Sequence, residues 1–148
     1  MSEPPPEPQD APDVRSARFS RRPLQPLDFG PAQDLAADEE RVRRRLSDLA
    51  GFIAEARHLV GVGREAYLAD SMSGAMLRNA GHYLLIKVAT VVEKLPQSFK
   101  DGHPDVDWVG ITRLRNLVAH HHDKIIDQTV WVAIESRLPE LADKLDLR

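Results

Sequence analysis

The feature that most constrains the fold of this chain is a change in apolar spacing near Asp38. From that point on, apolar residues recur every three or four positions, the spacing with which a helix buries one face. No stretch alternates apolar and polar residues over the length of a strand, and no segment repeats at solenoid spacing. The sequence therefore predicts an all-α domain.

Four segments carry this helical spacing. The first three predicted helices cover residues 39–60, 72–95 and 104–120, and the fourth follows Asp127 with Val130, Ile134, Leu138, Leu141 and Leu145 on one face. Asp38 and Asp127 are the predicted N-caps of the first and fourth helices, because a carboxylate accepts hydrogen bonds from free backbone N–H groups. Pro139 predicts a kink in the fourth helix, or its division into two pieces. Four or five helices with short connections predict an antiparallel bundle.

The inner faces of the two long helices follow from the same spacing. The predicted inner residues are Val42, Leu46, Leu49, Ile53, Ala56 and Val60 on the first helix, and Met76, Ala80, Leu84, Val88, Val91 and Leu95 on the second. Pro104 suits the first turn of the third helix, where Asp105 and Asp107 oppose the positive end of the helix dipole. Trp108 and Trp131 are predicted as core or dimer-interface aromatics.

Residues 1–36 differ in composition from the predicted domain at 37–148. Eight of the eleven prolines precede residue 32, where they remove backbone donors and favour extended conformations, so a disordered tail is predicted. Arg15, Arg18, Arg21 and Arg22 surround Phe19, a combination that can contact RNA or a partner by charge and stacking. The alternative for this segment is a solubilising leader.

Composition excludes several classes of function. The net charge of −3 provides no global basic field for a polyanion, so any nucleic-acid contact must be local. The absence of cysteine excludes disulfides, thiolate metal sites and cysteine nucleophiles. No apolar run approaches the roughly 20 residues of a membrane span, and the N-terminus lacks the pattern of a secretion signal. We therefore expect a cytoplasmic protein without a membrane segment.

Chemistry-bearing residues concentrate between positions 114 and 123. Asn116 and His120 are four residues apart, so on a helix they share a face. Arg115 is five residues from His120, which places it about 140° away around the helix at about 100° per residue. The two side chains therefore converge only at a frayed helix end or across a second subunit. A symmetric dimer would bring two arginines and two histidines to one cleft.

Such a cleft suits phosphodiester transfer. Histidine has an ordinary pKa near 6.5, so it can take a proton from a hydroxyl or return one to a leaving oxygen. Arginine presents a planar fork to phosphate oxygens and stabilises the extra charge of the transition state. RNA carries its own nucleophile in the 2′-hydroxyl, so this chemistry predicts neither a metal nor a cofactor.

These residues resemble a known family, the HepT-like branch of the HEPN superfamily. Its motif is an arginine, four intervening residues, a histidine, one further residue and a tyrosine, usually with a polar residue directly after the arginine. Arg115, Asn116 and His120 match the first three elements. The flanks that strengthen the match are His103-Pro104, Trp108, Leu114, Ile126-Asp127, Val130-Trp131, Ile134 and Leu138-Pro139. The resemblance covers roughly residues 39 to 145.

The resemblance implies a homodimeric, metal-independent endoribonuclease that acts as the toxin of a toxin–antitoxin pair. It implies RNA as the substrate, Arg115, Asn116 and His120 as the catalytic residues, and a minimal nucleotidyltransferase antitoxin as the partner. The tyrosine position is occupied here by His122. Since the family's partner attaches AMP to that tyrosine, the departure leaves open whether AMP attachment regulates this chain. His121 and His122 are predicted to bind the substrate, and a degenerate site is the alternative.

Other interpretations of the same residues remain open. The cleft could bind RNA or a nucleotide, or dock a nucleotidyltransferase, without catalysis. The histidine run 120–122 could suggest zinc, yet adjacent helical side chains diverge, so we predict no metal site there. The arginines at positions 41 and 43–45 form either a solvated helix face or a contact to RNA backbone.

Overall fold

The computed structural model describes residues 31–120 and 124–147, with side chains described for 34–120 and 126–147. All regular structure within these ranges is helical, which confirms the predicted all-α class. The predicted tail up to residue 30 lies outside the described residues, as do His121 and His122.

Seven α-helices and one π-helical segment make up the described chain. They are α1 Pro31–Val62, α2 Arg64–Leu68, α3 Met72–Glu93, α4 Gln97–Asp101, α5 Trp108–His120, α6 Lys124–Val132, the π segment Ala133–Arg137, and α7 Leu138–Lys144. Helix α3 lies at the centre of the bundle and contacts α1, α2, α5 and α6. The N-terminal helix also packs against the π segment and α7.

Helix α1 begins at Pro31, earlier than the predicted start at residue 39. Proline is tolerated in a first turn, because its missing N–H would have no helical acceptor there. The helix therefore includes residues 31–36, which were predicted as tail. The prediction of Asp38 as N-cap is wrong: it lies inside α1, and its carboxylate is 2.8 Å from the Arg41 guanidinium.

Gly63 separates α1 from α2, a short helix that the periodicity did not predict. Its φ of 104° lies in the left-handed region that favours glycine, and its N–H donates to the Val60 carbonyl at 3.0 Å. Helix α3 then begins after Ser71, whose hydroxyl accepts a hydrogen bond from the Gly74 N–H at 3.0 Å. This N-cap confirms the predicted start at Met72.

The predicted inner face of α3 is correct only in its second half. Met76 is 66% exposed and Ala80 is also exposed, because the first turns of α3 direct a different face towards α2. Gly81 lies on that face, and a Cβ there would approach within 2.9 Å of the Tyr67 hydroxyl of α2. The remaining predicted positions of α3 are buried or pack against the core. On α1, five of the six predicted positions do so: Leu46, Leu49, Ile53, Ala56 and Val60. The sixth, Val42, is half-buried and is not part of that core.

Helix α5 begins at Trp108 rather than at Pro104. The carboxylate of Asp107 accepts a hydrogen bond from the Gly110 N–H at 2.8 Å, so Asp107 caps this helix. The Trp108 indole N–H lies within hydrogen-bonding distance of the Lys100 and His103 carbonyls, at 3.2 and 3.1 Å. These bonds attach the preceding connection to the start of α5.

The C-terminal helices divide just before Pro139, as predicted. The Leu138 N–H donates to the Ala133 carbonyl, five residues back, which ends the π segment and leaves Pro139 in the first turn of α7. A proline needs no amide acceptor in that turn. The predicted inner residues of this region are all buried: Val130, Ile134, Leu138, Leu141 and Leu145. The prediction of Asp127 as N-cap is wrong, because α6 begins at Lys124 and Asp127 contacts α3 instead.

Candidate functional site

All three predicted catalytic residues lie on α5. Val118 marks the inner face of this helix and is buried, whereas Asn116 and His120 are exposed. His120 is the final residue of α5, at the negative end of the helix dipole. The helix therefore presents Asn116 and His120 to solvent.

Arg115 points in another direction, towards the last turn of α3. Its guanidinium forms an ion pair with the Glu93 carboxylate, and the two side chains are 34% and 39% exposed. An ion pair this open contributes little to stability, so its main effect is to fix the direction of the guanidinium. Glu93 was not predicted from the sequence, because it lies 22 residues from Arg115 and no local pattern connects them.

Within the described residues, a single copy of the chain does not bring the three predicted catalytic residues together. Across the described ranges, no hydrogen bond or ion pair joins Arg115, Asn116 and His120 to one another. This agrees with the angle of about 140° between positions five residues apart on a helix. The predicted substrate-binding residues His121 and His122 fall in the segment that the structure leaves undescribed.

A groove lies beside Arg115, between α5 on one wall and the π segment with α7 on the other. Its volume is about 240 Å³, and its floor is formed by Leu85 and Val88 of α3. Arg115, Arg137 and Lys144 bring cations to this α5–α7 groove. The Lys144 ammonium already contacts the Glu140 carboxylate and the Asp105 carbonyl, each at 2.7 Å.

A second charged group joins α3 to the start of α6. The Asp127 carboxylate lies 3.3 Å from the Arg78 guanidinium and 3.0 Å from His82 Nε2, and each of the three side chains is less than 20% exposed. Arg78 also donates to the Tyr67 and Ala69 carbonyls, at 2.9 and 2.8 Å. This Arg78–His82–Asp127 cluster therefore connects α2, α3 and α6.

Tyr67 packs next to the cluster, with its ring centroid 5.1 Å from that of Trp131. Burial raises the pKa of the Tyr67 phenol, and the negative charge of Asp127 raises it further. Its hydroxyl has no hydrogen-bond partner among the side chains and backbone that the structure describes. Tyr67 is therefore a neutral core residue at physiological pH.

The described ranges contain neither a metal-binding cluster nor a membrane-spanning helix. No group of three or more histidine, aspartate or glutamate side chains there comes close enough together to hold a metal ion. None of the described helices is both long and apolar enough to cross a membrane.

A family model described as "Ribonuclease HepT-like" matches residues 43–147 of the chain. The chain belongs to the HepT-like ribonuclease family. The matched range contains α3 with Glu93, α5 with Arg115, Asn116 and His120, and α6 with Asp127. The beginning of α1, the segment before it and Arg148 lie outside the match.

One curated relative also matches this HepT-like chain. A segment of 52 residues is 31% identical to a protein of Methanocaldococcus jannaschii named "Putative RNase MJ0127". The match covers 35% of the present chain and 43% of that relative, which is less than half of its length. No solved structure matches the chain significantly.

Proposed function

We propose that this HepT-like chain is a metal-independent endoribonuclease whose site forms when two copies associate along α5. The observation that carries the proposal is the arrangement of α5. Glu93 holds Arg115 in a fixed direction, and Asn116 and His120 are exposed on the same helix without partners in the described chain. Groups that face solvent in this way are available to a ligand and to a second copy.

The exposed stripe of α5 supports association along this helix. Val109, Asn116 and His120 are separated by seven and four residues, so they lie along one face. Val109 is an apolar residue that is 59% exposed. A symmetric interface on this stripe would repeat each contact twice and bring the two copies of His120 close to one cleft.

The proposed reaction uses the 2′-hydroxyl of RNA as the nucleophile. The imidazole of His120 takes the hydroxyl proton as the 2′-oxygen attacks the adjacent phosphorus, and His120 of the partner subunit protonates the leaving 5′-oxygen. The bond between phosphorus and the 5′-oxygen breaks, so the products are a 2′,3′-cyclic phosphate and a 5′-hydroxyl. Arg115 stabilises the charge that accumulates on the phosphate, and Asn116 orients the imidazole.

The toxin role and the partner are part of the same proposal. By resemblance to its family, the chain would be a cytoplasmic toxin inhibited by a minimal nucleotidyltransferase. His122 stands where the family has the tyrosine that receives AMP. We therefore expect inhibition by binding, with no AMP on this position, and we assign His121 and His122 to substrate binding.

RNA cleavage in the presence of EDTA tests the enzymatic proposal. The wild-type chain should release 5′-hydroxyl and cyclic-phosphate ends, and His120→Ala should not. His58→Ala is the matched control, because His58 is an exposed histidine on α1, away from α5. Equal cleavage by wild type and His120→Ala would show that the assignment is wrong.

The second candidate is an RNA-binding module without catalysis. It is favoured by His122, which departs from the family motif, and by the separation of Arg115 from His120 in one copy. In that case wild type should bind RNA in the same assay, leave it intact, and be harmless on overexpression.

A further inference from the structure

The α5–α7 groove continues directly from the Arg115 guanidinium into an apolar slot. The side chains of Ile111 and Leu114 line one wall, and Leu138 and Leu141 line the other. Its volume of about 240 Å³ is smaller than the roughly 300–1,000 Å³ of pockets for drug-sized ligands. The slot is therefore of a size for one flat ring system rather than for a long apolar segment.

The two ends of the groove differ in charge. Because Lys144 donates to the Asp105 carbonyl, the end of α7 lies at the beginning of α5. Arg137 precedes Lys144 by seven residues, about 10 Å of helix at about 1.5 Å per residue, so it lies towards the Arg115 end. One end of the groove thus carries two arginines, and the other carries a lysine.

The lysine end is already neutralised, whereas the arginine end is neutralised only in part, because Glu93 pairs with Arg115. Lys144 is paired with Glu140, and Asp107 caps α5. Arg137 is exposed and has no hydrogen-bond or ion-pair partner in the described part of the chain. An anion at this end would therefore meet a guanidinium that no carboxylate of the described chain occupies.

We propose that the α5–α7 groove is a nucleotide subsite for single-stranded RNA, next to the phosphate that reacts. A nucleobase enters the apolar slot, and the Arg137 guanidinium holds oxygens of a flanking phosphate. Apolar walls recognise the shape of a base more than its hydrogen-bonding edge, so the subsite discriminates by size. This proposal rests on the proposed function, because it requires RNA to reach Arg115.

Binding of a short 2′-O-methyl RNA tests the role of Arg137, since this probe cannot be cleaved by 2′-hydroxyl attack. Measured by fluorescence anisotropy, Arg137→Ala should weaken binding about five-fold and reduce the salt slope by about 0.7, the loss of one phosphate contact on a single strand. Arg137→Lys should keep most of the slope. Arg57→Ala removes the same charge from an exposed position on α1 and should leave binding unchanged.

Methyl NMR tests the slot itself without a substitution in the protein. On addition of the same RNA probe, the Ile111 methyl should shift, whereas the methyl of Ile53, a core residue of α1, should not. A probe with one abasic position in the slot should lose the Ile111 shift while it still binds. A shift of Ile111 that depends on protein concentration alone would instead assign the groove to a protein contact and overturn the proposal.

The outcomes distinguish this inference from the function on which it rests. Suppose that wild type cleaves RNA, that His120→Ala does not, and that Arg137→Ala binds RNA as tightly as Arg57→Ala. The groove is then not a nucleotide subsite, whereas the proposed ribonuclease activity stands. If wild type neither binds nor cleaves RNA, both proposals are wrong.

Discussion

Two groups of charged and polar side chains in this bundle are built in opposite ways. The Arg78–His82–Asp127 cluster draws its partners from α3 and α6, and each side chain is less than 20% exposed. On α5, by contrast, Arg115 has one half-exposed partner, and Asn116 and His120 have none in the described chain. Buried charges must be paired to be tolerated, whereas exposed ones need no partner. A complete cluster therefore indicates a structural role, and an incomplete one indicates a role in binding.

The two regions are nevertheless connected along the chain. Asp127 lies in the first turn of α6, seven residues after His120. By attaching α6 to α3, it fixes the point at which the connection after α5 must end. The Arg78–His82–Asp127 cluster thus stabilises the packing of the helices that position Arg115, Asn116 and His120.

The largest effect is expected on substitution of His120, which should lower RNA cleavage and leave stability nearly unchanged. Because His120 is exposed, His120→Ala should change the free energy of unfolding by less than about 0.5 kcal/mol. The same change should reduce RNA cleavage by at least about 100-fold, the usual contribution of a general acid or base. Urea unfolding and cleavage assays on the same preparation measure both quantities. A large loss of stability in this variant would contradict the comparison.

The opposite result is expected for Asp127. Asp127→Ala leaves Arg78 partly buried without its carboxylate, so we expect a loss of about 3 kcal/mol in the free energy of unfolding. Asp143→Ala removes an exposed carboxylate from α7 and is the matched control, with little expected change. Urea denaturation of the two variants provides the measurement. If both lose the same small amount, the cluster is not a structural element.

How much of the fold and of the two clusters can be predicted from the sequence depends on how far apart along the chain the interacting residues lie. Helical spacing is local, so the all-α class and the buried line from Val130 to Leu145 were predicted correctly. The sequence did not predict α2, so it also did not predict that the face of α3 with Gly81 packs on Tyr67. For this reason Met76 was wrongly predicted to lie inside. A spacing pattern shows which residues share a face, but it does not show which element that face meets.

The errors at individual acids have the same cause. Asp38 and Asp127 both precede apolar helical stretches, which locally resembles an N-cap, yet each pairs with an arginine instead. For Asp127 that arginine lies on α3, remote in sequence. The pair between Glu93 and Arg115 is nonlocal too. The motif on α5 could be located from the sequence because its own residues are close together along the chain.

A smaller effect is expected at Glu93, whose carboxylate pairs with Arg115 of the α5 motif. Glu93→Gln should alter the free energy of unfolding by less than about 1 kcal/mol, because the ion pair is more than one-third exposed on the Glu93 side. Loss of the fixed guanidinium direction should lower kcat about ten-fold with little rise in KM. Steady-state cleavage kinetics measure the two constants separately. A rise in KM alone would indicate that Glu93 contributes to binding and not to positioning.

The smallest effect is expected at Tyr67, inside the framework beside the cluster. Tyr67→Phe removes a buried hydroxyl that lacks a partner in the described chain, so it should raise the free energy of unfolding by about 1 kcal/mol at neutral pH. Burial raises the pKa of Tyr67 above its ordinary value of 10.0. As the pH rises, the phenol therefore loses its proton at a lower pH in the unfolded chain than in the folded one. The free energy of unfolding of the wild type should fall above pH 10, and the variant has no phenol to cause this fall. Urea unfolding at neutral pH and above pH 10 measures the difference in free energy of unfolding between wild type and variant, which should widen with pH. A constant difference would mean that the phenol has the same pKa in the folded and unfolded states.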